Sequence, residues 1–221
     1  MFDKWQNTIR LLLSCLLSLL LIISAPSVSI TPASASAMPI NLAIIFDLSE
    51  SVNASYQSPT VKPKDLKDLL SQLFQLSSQN QYFIIGVSTT PTMILNGSTD
   101  SNITLKALSK LASKRREGAT ALYDACYLGI EKVAQGESSK RVLLVVSDGV
   151  DTTSNKTSKD VKRALIEKKV KLYAIVGRSE NNAYNRILDE MASISGGVVF
   201  HYEQSKDINN IMVSIAAKLQ E

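Results

Sequence analysis

The sequence has few of the residues that build disulfide scaffolds or soft-metal sites. Its 221 residues include two cysteines and one histidine. A disulfide scaffold and a zinc site of cysteine and histidine ligands are therefore excluded. It also has only 9 glycines and 6 prolines, while 45% of its residues are hydrophobic, which excludes collagen-like and disordered chains. Oxygen remains the only ligand atom for a metal site.

Strong charge is missing as well. The net charge is +4, and no run of lysine and arginine is interleaved with aromatic residues, so a nucleic-acid partner is not indicated. The length fits one ordinary domain or at most two small ones. Cys126 lies in an apolar stretch with helical spacing, which predicts a buried core residue.

The N-terminal segment has the pattern of an export signal. Basic residues precede an apolar run over residues 11–23, which is shorter than the roughly 20 residues of a membrane-spanning helix. Small residues follow, with A-x-A patterns ending at Ala35 and Ala37. This pattern predicts a signal peptide over residues 1–37, cleaved after Ala35 or Ala37, and an extracytoplasmic protein, periplasmic or secreted. An uncleaved N-terminal membrane anchor is the alternative.

The rest of the chain, residues 38–221, alternates apolar strands with amphipathic helices. Continuous apolar runs predict strands buried on both faces, and leucines at helical spacing predict helices. The predicted strands cover residues 39–46, 82–87, 92–95, 141–147, 170–177 and 198–201. The predicted helices cover residues 63–76, 103–111, 119–134, 157–168, 184–194 and a segment from Ser205 onward. This order predicts a single α/β domain: a Rossmann-like, doubly wound, mostly parallel six-stranded sheet with one short antiparallel edge strand and helices on both faces.

Three predicted loops carry oxygen side chains. The first strand is followed by Asp47, Ser49 and Ser51, the long central helix begins near Thr120, and Asp148 follows another apolar strand. Ligand sites in doubly wound sheets lie outside the carboxyl ends of the strands. Mg²⁺ prefers oxygen ligands in near-octahedral geometry. The three loops therefore predict a divalent-cation site.

These motifs resemble a known family. Asp47-x-Ser49-x-Ser51, Thr120 within GATALYDA, and Asp148 followed by glycine are similar to the complete metal-ion-dependent adhesion site of the von Willebrand factor type A domain family. The resemblance extends over the whole of residues 38–221, and GATALYDA followed by SDGVDT is similar to the bacterial branch.

The resemblance implies a role for each matching residue. Ser49 and Ser51 would bind Mg²⁺, or Mn²⁺ or Ca²⁺, directly, and Thr120 would bind directly or through water. Asp47 and Asp148 would bind directly or through water. The open coordination position would take an Asp or Glu carboxylate from a partner protein. A glutamate, Glu117, stands where the family often has a glycine, and its charge near the rim would weaken an acidic ligand.

Other polar residues near the motifs are expected to be structural. Asp124, one helical turn after Thr120, is predicted to be a surface or supporting hydrogen bonder. Asp151 and Thr152 are predicted to cap the loop that follows them. His201, far in sequence from the three loops, is predicted to be structural.

Three functional hypotheses follow. The favoured one is a metal-dependent protein-binding module without catalysis. The second is a Mg²⁺-dependent hydrolase that uses Asp47 and Asp148, although the sequence shows no general base beside the loops, no nucleophile elbow and no phosphate-binding loop. The third is a structural domain whose site stays empty. A membrane would be a partner only if the N-terminal segment is retained as an anchor.

Overall fold

The computed structural model describes residues 38–50, 61–114, 117–177, 182–202 and 205–220. Contacts between Cα atoms group the chain into two units, Met1–Ala35 and Ser36–Glu221, and every described residue belongs to the second. The proposed signal peptide, residues 1–37, lies outside the described residues. Within those residues, no helix combines the length and the apolar character that crossing a bilayer requires.

One sheet organises the described residues. Its order is β3-β2-β1-β4-β5-β6, and only β3 runs antiparallel to its neighbour. This confirms the predicted mostly parallel sheet of six strands with one antiparallel edge strand. That edge strand is longer than the predicted residues 92–95. The strands are β1 (Ile40–Asp47), β2 (Gln81–Val87), β3 (Pro91–Ser98), β4 (Lys140–Val146), β5 (Val170–Gly177) and β6 (Val198–Tyr202).

Helices cover both faces of this sheet, as predicted. The described helices are α1 (Pro63–Leu76), α2 (Ser101–Ala112), α3 (Leu122–Gln135), α4 (Ser158–Glu167), α5 (Asn182–Ser195) and α6 (Ser205–Lys218). Side chains of α1, α2 and α6 pack in one apolar cluster, and those of α3, α4 and α5 pack in another. The sheet separates the two clusters, which is the layering of a doubly wound domain.

The burial of the central strand β1 on both faces explains its continuous run of apolar residues. All eight of its residues are buried, because β2 and β4 flank it and helices cover both faces. Ile44 faces one cluster and Ile45 the other, as alternate residues of a strand must. Asp47 ends the strand, so a carboxylate stands where the apolar core stops.

The parallel strands end together at what we call the carboxyl edge of the sheet, and they begin at the amino edge. Asp47 of β1 pairs with Val87 of β2, and Phe46 pairs with Val146 of β4. The connections β1–α1, β4–α4 and α2–α3 therefore meet at the carboxyl edge. This arrangement brings segments distant in sequence to one place.

Helix α3 starts later than the sequence indicated. It was predicted from residue 119, but residues 119–121 belong to the loop that carries Thr120, and the helix starts at Leu122. On the buried side of this helix, Cys126 is fully inaccessible, and burial raises the pKa of its thiol to about 12. The prediction of a core cysteine is confirmed.

A core truncation tests the assigned packing. Ile44→Ala removes a fully buried side chain from the central strand, so the free energy of unfolding should fall by about 2–5 kcal/mol in urea titrations. Ile166→Ala makes the same chemical change on the exposed side of α4 and should cost less than about 0.5 kcal/mol. Equal losses in the two variants would contradict the described burial.

Candidate metal centre

Asp47 is the centre of the candidate site. Its side chain is almost completely buried at the end of β1. Asp47 Oδ1 accepts hydrogen bonds from the backbone N–H of Ser49 at 2.8 Å and from Ser49 Oγ at 2.6 Å. Its other oxygen, Oδ2, accepts a hydrogen bond from Ser147 Oγ at 2.6 Å. Both carboxylate oxygens are therefore held in place by neighbouring hydroxyl groups.

Ser147 is a site residue that the sequence reasoning missed. It follows β4, and its Oγ accepts a hydrogen bond from the Gly149 backbone N–H at 3.1 Å while donating to Asp47. It therefore links the β1 loop to the β4 loop. The sequence signal was limited to a hydroxyl residue that stands between an apolar strand and Asp148.

The β1 loop is fastened to the loop before α3 by two backbone hydrogen bonds. The N–H of Glu50 donates to the Gly118 carbonyl at 3.1 Å, and the N–H of Glu117 donates to the Leu48 carbonyl at 2.9 Å. Gly118 has φ +81°, and a Cβ there would lie 2.6 Å from Thr89 Oγ1. Only glycine fits this close approach without strain.

Thr120 is fastened to the β4 loop. Its backbone N–H donates to Thr152 Oγ1 at 3.0 Å, and its carbonyl accepts hydrogen bonds from the N–H groups of Thr152 and Thr153 at 2.8 and 3.2 Å. Its side chain is buried. The structure thus brings the loops of Asp47, Ser49, Thr120 and Asp148 together at the carboxyl edge. Ser51, the remaining predicted ligand, lies outside the described residues.

The β4 loop also supplies the N-terminal cap of α3. Asp151 Oδ1 accepts a hydrogen bond from the Tyr123 N–H at 3.0 Å. Asp124 accepts hydrogen bonds from the N–H groups of Asn155 and Lys156 at 3.0 and 2.8 Å, which agrees with its predicted supporting role. Asp151 Oδ1 also accepts a hydrogen bond from Ser154 Oγ at 2.5 Å in the loop that follows, as predicted, and the bonds of Asp151 and Thr152 across to α3 and its preceding loop were not predicted.

The electrostatics of the site favour a cation. Burial raises the pKa of Asp47 above its ordinary value of 3.8, and the nearby charge of Asp148 raises it further, against the hydrogen bonds from Ser147 and Ser49. Asp148 is partly exposed, and its Oδ1 accepts a hydrogen bond from the Val150 N–H at 3.0 Å. None of the described lysines and arginines forms an ion pair with either carboxylate. Two neighbouring carboxylates without a basic partner would gain from a bound cation.

The donor set also fits a hard divalent cation. The serine hydroxyls donate their protons to Asp47, and this leaves their oxygen lone pairs available to a metal. Carboxylate and hydroxyl oxygens suit Mg²⁺. The described residues contain no group of three or more His, Cys, Asp or Glu side chains placed to hold a metal. The predicted set needs only two carboxylates, because hydroxyl groups supply its other ligands.

His201 is not part of this site. It lies on the edge strand β6, two strands away from β4, and its Nε2 is 3.4 Å from Asp189 Oδ1. Both side chains are substantially exposed. This placement agrees with the predicted structural role.

The chain is similar to known proteins in sequence pattern and in fold. The family model for the von Willebrand factor type A domain matches residues 41–213. No curated protein matches the chain. Among solved structures, the PilB minor pilin from Streptococcus sanguinis is similar with a TM-score of 0.62 and 14% identity, covering 84% of this chain and 62% of the pilin.

Two further structures show the same fold. BatB from Bacteroides thetaiotaomicron, described as a conserved hypothetical protein, has a TM-score of 0.58 and 17% identity, covering 81% of this chain and 99% of BatB. The pilus adhesin SpaC from Lactobacillus rhamnosus GG has a TM-score of 0.63 and 11% identity, covering 83% of this chain and 30% of the adhesin. At these identities the likeness shows the fold alone.

The raised pKa of Asp47 predicts a pH effect in metal-free buffer. A group whose pKa is higher in the folded state favours folding most below its unfolded pKa, and this contribution is lost as pH rises through the folded pKa. The wild type should therefore lose stability relative to Asp47→Asn as pH rises from the ordinary aspartate value of 3.8 toward neutrality. Melting temperatures in EDTA measure this difference. A difference that does not change with pH would contradict the assigned burial.

Proposed function

Because the chain belongs to the von Willebrand factor type A domain family, we propose that it is a module that binds a partner protein through a divalent cation. The observation that carries the proposal is the buried Asp47 carboxylate, oriented by Ser49 and Ser147 at an edge where three loops converge. Mg²⁺ is the proposed ion, with Mn²⁺ or Ca²⁺ as substitutes.

The proposed ligands are Asp47, Ser49, Ser51, Thr120 and Asp148. When bound, the cation supplies a positive centre that attracts an aspartate or glutamate carboxylate of the partner. The chain's own groups fix the geometry: Asp47 orients the Ser49 hydroxyl, and the hydrogen bonds between loops fix the backbone on either side of Thr120. Two carboxylates only balance a divalent ion, so an incoming anion remains attracted.

We propose binding without catalysis. The chain's single histidine lies on the edge strand β6, and the hydroxyls of Ser49 and Ser147 are engaged in hydrogen bonds to Asp47. The alternative, a Mg²⁺-dependent hydrolase with Asp47 and Asp148, would need a water activated at the same cation. The variants below separate the two.

We also propose that residues 38–221 form one exported domain and that residues 1–37 are a signal peptide. The A-x-A patterns at Ala35 and Ala37 support this. A surface location agrees with the names of two structural neighbours, a minor pilin and a pilus adhesin. Retention of residues 1–37 would give a membrane-anchored form of the same module.

Metal binding should stabilise the folded domain. A ligand bound only by the native state at about 100 times its Kd adds about 2.7 kcal/mol to the free energy of unfolding. Mg²⁺ or Mn²⁺ should therefore raise the melting temperature of the wild type but not that of Ser49→Ala. The control Ser109→Ala changes an exposed serine of α2 and should respond like the wild type. No shift at millimolar metal would count against a working site.

Partner capture should depend on the same residues. Immobilised domain should retain a protein from the host's envelope fraction in Mg²⁺ and release it in EDTA. Asp47→Ala and Thr120→Ala should both abolish retention. Thr120→Ala changes the proposed ligand with less effect on the loops, because the hydrogen bonds described for Thr120 use its backbone. Retention by both variants would move binding away from the metal site, and hydrolysis lost in both would favour the hydrolase.

A further inference from the structure

The first turn of α3 takes its cap from another loop. Ala121 stands at the N-terminal cap position of this helix, where its side chain makes no capping hydrogen bond. A capping residue normally accepts a hydrogen bond from the second or third N–H of the helix, because these groups have no partner within it. Here the acceptor comes from the β4 loop, residues 147–157: Asp151 Oδ1 accepts from the Tyr123 N–H at 3.0 Å. The first turn of α3 is therefore completed by a segment distant in sequence.

Asp124 extends this contact by one residue along α3. Its N–H donates to Ser154 Oγ at 3.1 Å, and its carboxylate accepts from the N–H groups of Asn155 and Lys156 at 3.0 and 2.8 Å. The Lys156 ammonium also lies 4.4 Å from the centre of the Tyr127 ring of the same helix, which is an attractive cation–π geometry. Side chains of both segments thus hold the β4 loop on the start of α3.

Thr152 carries the same contact to Thr120, a proposed metal ligand. Thr152 Oγ1 accepts a hydrogen bond from the Thr120 N–H at 3.0 Å, and the Thr152 N–H donates to the Thr120 carbonyl at 2.8 Å. These hydrogen bonds use the backbone of Thr120, so they fix its position without occupying its hydroxyl group. The β4 loop also carries Asp148, another proposed ligand. Thr152 therefore links two proposed ligands that belong to separate elements.

The next residue, Thr153, has a different contact. Its hydroxyl donates to the Thr89 carbonyl at 3.4 Å, and only its backbone N–H reaches the Thr120 carbonyl, at 3.2 Å. Both threonines are exposed. The two side chains thus have the same chemistry and similar exposure, and only that of Thr152 accepts the hydrogen bond from the Thr120 N–H.

A fixed spacing between ligands affects Mg²⁺ and Ca²⁺ differently. Mg²⁺ demands near-octahedral geometry with oxygens at about 2.0–2.1 Å, whereas Ca²⁺ accepts six to eight oxygens at about 2.3–2.6 Å in flexible arrangements. Ligands on loops that move independently would therefore favour Ca²⁺, and ligands held together by hydrogen bonds would favour Mg²⁺. Partners that orient the ligands of a metal commonly change its affinity when they are removed.

We propose that Thr152 is a positioning residue that strengthens the preference of the metal site for Mg²⁺ over Ca²⁺. This inference rests on the metal site proposed above. Thr152 acts through Thr120, whose backbone it holds against the loop of Asp148, and Asp151 and Asp124 support it by fixing that loop on α3. Loss of the Thr152 hydroxyl leaves Thr120 less constrained relative to Asp148, so Mg²⁺ binding weakens more than Ca²⁺ binding.

Calorimetric titration of the metal-free full chain with MgCl₂ or CaCl₂ tests the proposal. Thr152→Val keeps the shape of the side chain but removes the acceptor of the Thr120 N–H. It should raise the Kd for Mg²⁺ about 10- to 100-fold and the Kd for Ca²⁺ by a smaller factor. Thr152→Ser keeps the hydroxyl and should restore both wild-type values.

A double variant tests whether Thr152 acts through the Thr120 side chain. Thr120→Ala removes the proposed ligand but keeps the backbone groups that bond to Thr152. It should bind Mg²⁺ more weakly than the wild type, and Thr152→Val added to it should cause no further loss, because no ligand is left to position. Additive losses in the double variant would contradict the proposed route.

Two controls separate positioning from general effects. Thr153→Val makes the same chemical change one residue further along and should keep both wild-type Kd values. Ile44→Ala weakens the core far from these hydrogen bonds and, at a temperature where it is folded, should keep the wild-type ratio of the two Kd values. A changed ratio in Thr152→Val therefore does not follow from lower stability.

Hydrogen exchange gives a measurement that does not depend on the variants. The Thr120 amide of the metal-free wild type should exchange slowly, because Thr152 Oγ1 accepts its hydrogen. Rapid exchange of this amide would overturn the proposal even if Thr152→Val does not fold.

The titrations distinguish failure of this inference from failure of the metal site. An unchanged ratio of the two Kd values in Thr152→Val, or an equal change in Thr153→Val, would overturn the positioning role while the wild type still binds metal. Failure of Thr152→Ser to restore binding would do the same. A wild type that binds neither ion would overturn the metal site itself, and the positioning role with it.

Discussion

The candidate site depends on the burial of one carboxylate. Removing Asp47 from water costs free energy, and Asp148 adds repulsion to that cost. The hydroxyls of Ser49 and Ser147 offset part of it by donating hydrogen bonds to the two carboxylate oxygens. Neither hydroxyl carries charge, so the negative charge remains for a cation to balance. A basic side chain beside Asp47 would instead balance this charge and remove the gain from binding a cation.

The sheet determines where this carboxylate can act. Parallel register places the end of β1 beside the ends of β2 and β4, and hydrogen bonds then join loops that are distant in sequence. The bonds of Glu50 and Glu117 to the facing loop, and those of Thr120 to the β4 loop, use the backbone. These bonds therefore do not depend on the side chains of Glu50, Glu117 and Thr120, whereas metal binding would depend on side-chain oxygens. Ligands held in this way lose little freedom when an ion binds.

The sequence predicted the fold better than it predicted the connections within the site. Apolar runs such as β1 and β4 were recognised because a strand covered on both faces has only one pattern. The start of α3 was misplaced, since Thr120 and its neighbours have helical composition but bond to the β4 loop instead. Ser147 and the cross-loop role of Asp151 were missed for the same reason. Hydrogen bonds between residues 28 or 100 positions apart leave no local signal.

Two residues of this domain lower its local stability, and they lie at opposite ends of the sheet. Asp47 is a buried carboxylate whose pKa is raised, and Lys169 holds a left-handed backbone conformation that costs a non-glycine residue roughly 1–2 kcal/mol. Residues that destabilise a fold locally, such as a buried charge or a left-handed residue other than glycine, are expected at functional surfaces. At the carboxyl edge, the loop residues 47–50, 117–124 and 147–153 carry six carboxylates and no lysine or arginine, so the charge of Asp47 is left for a cation to balance.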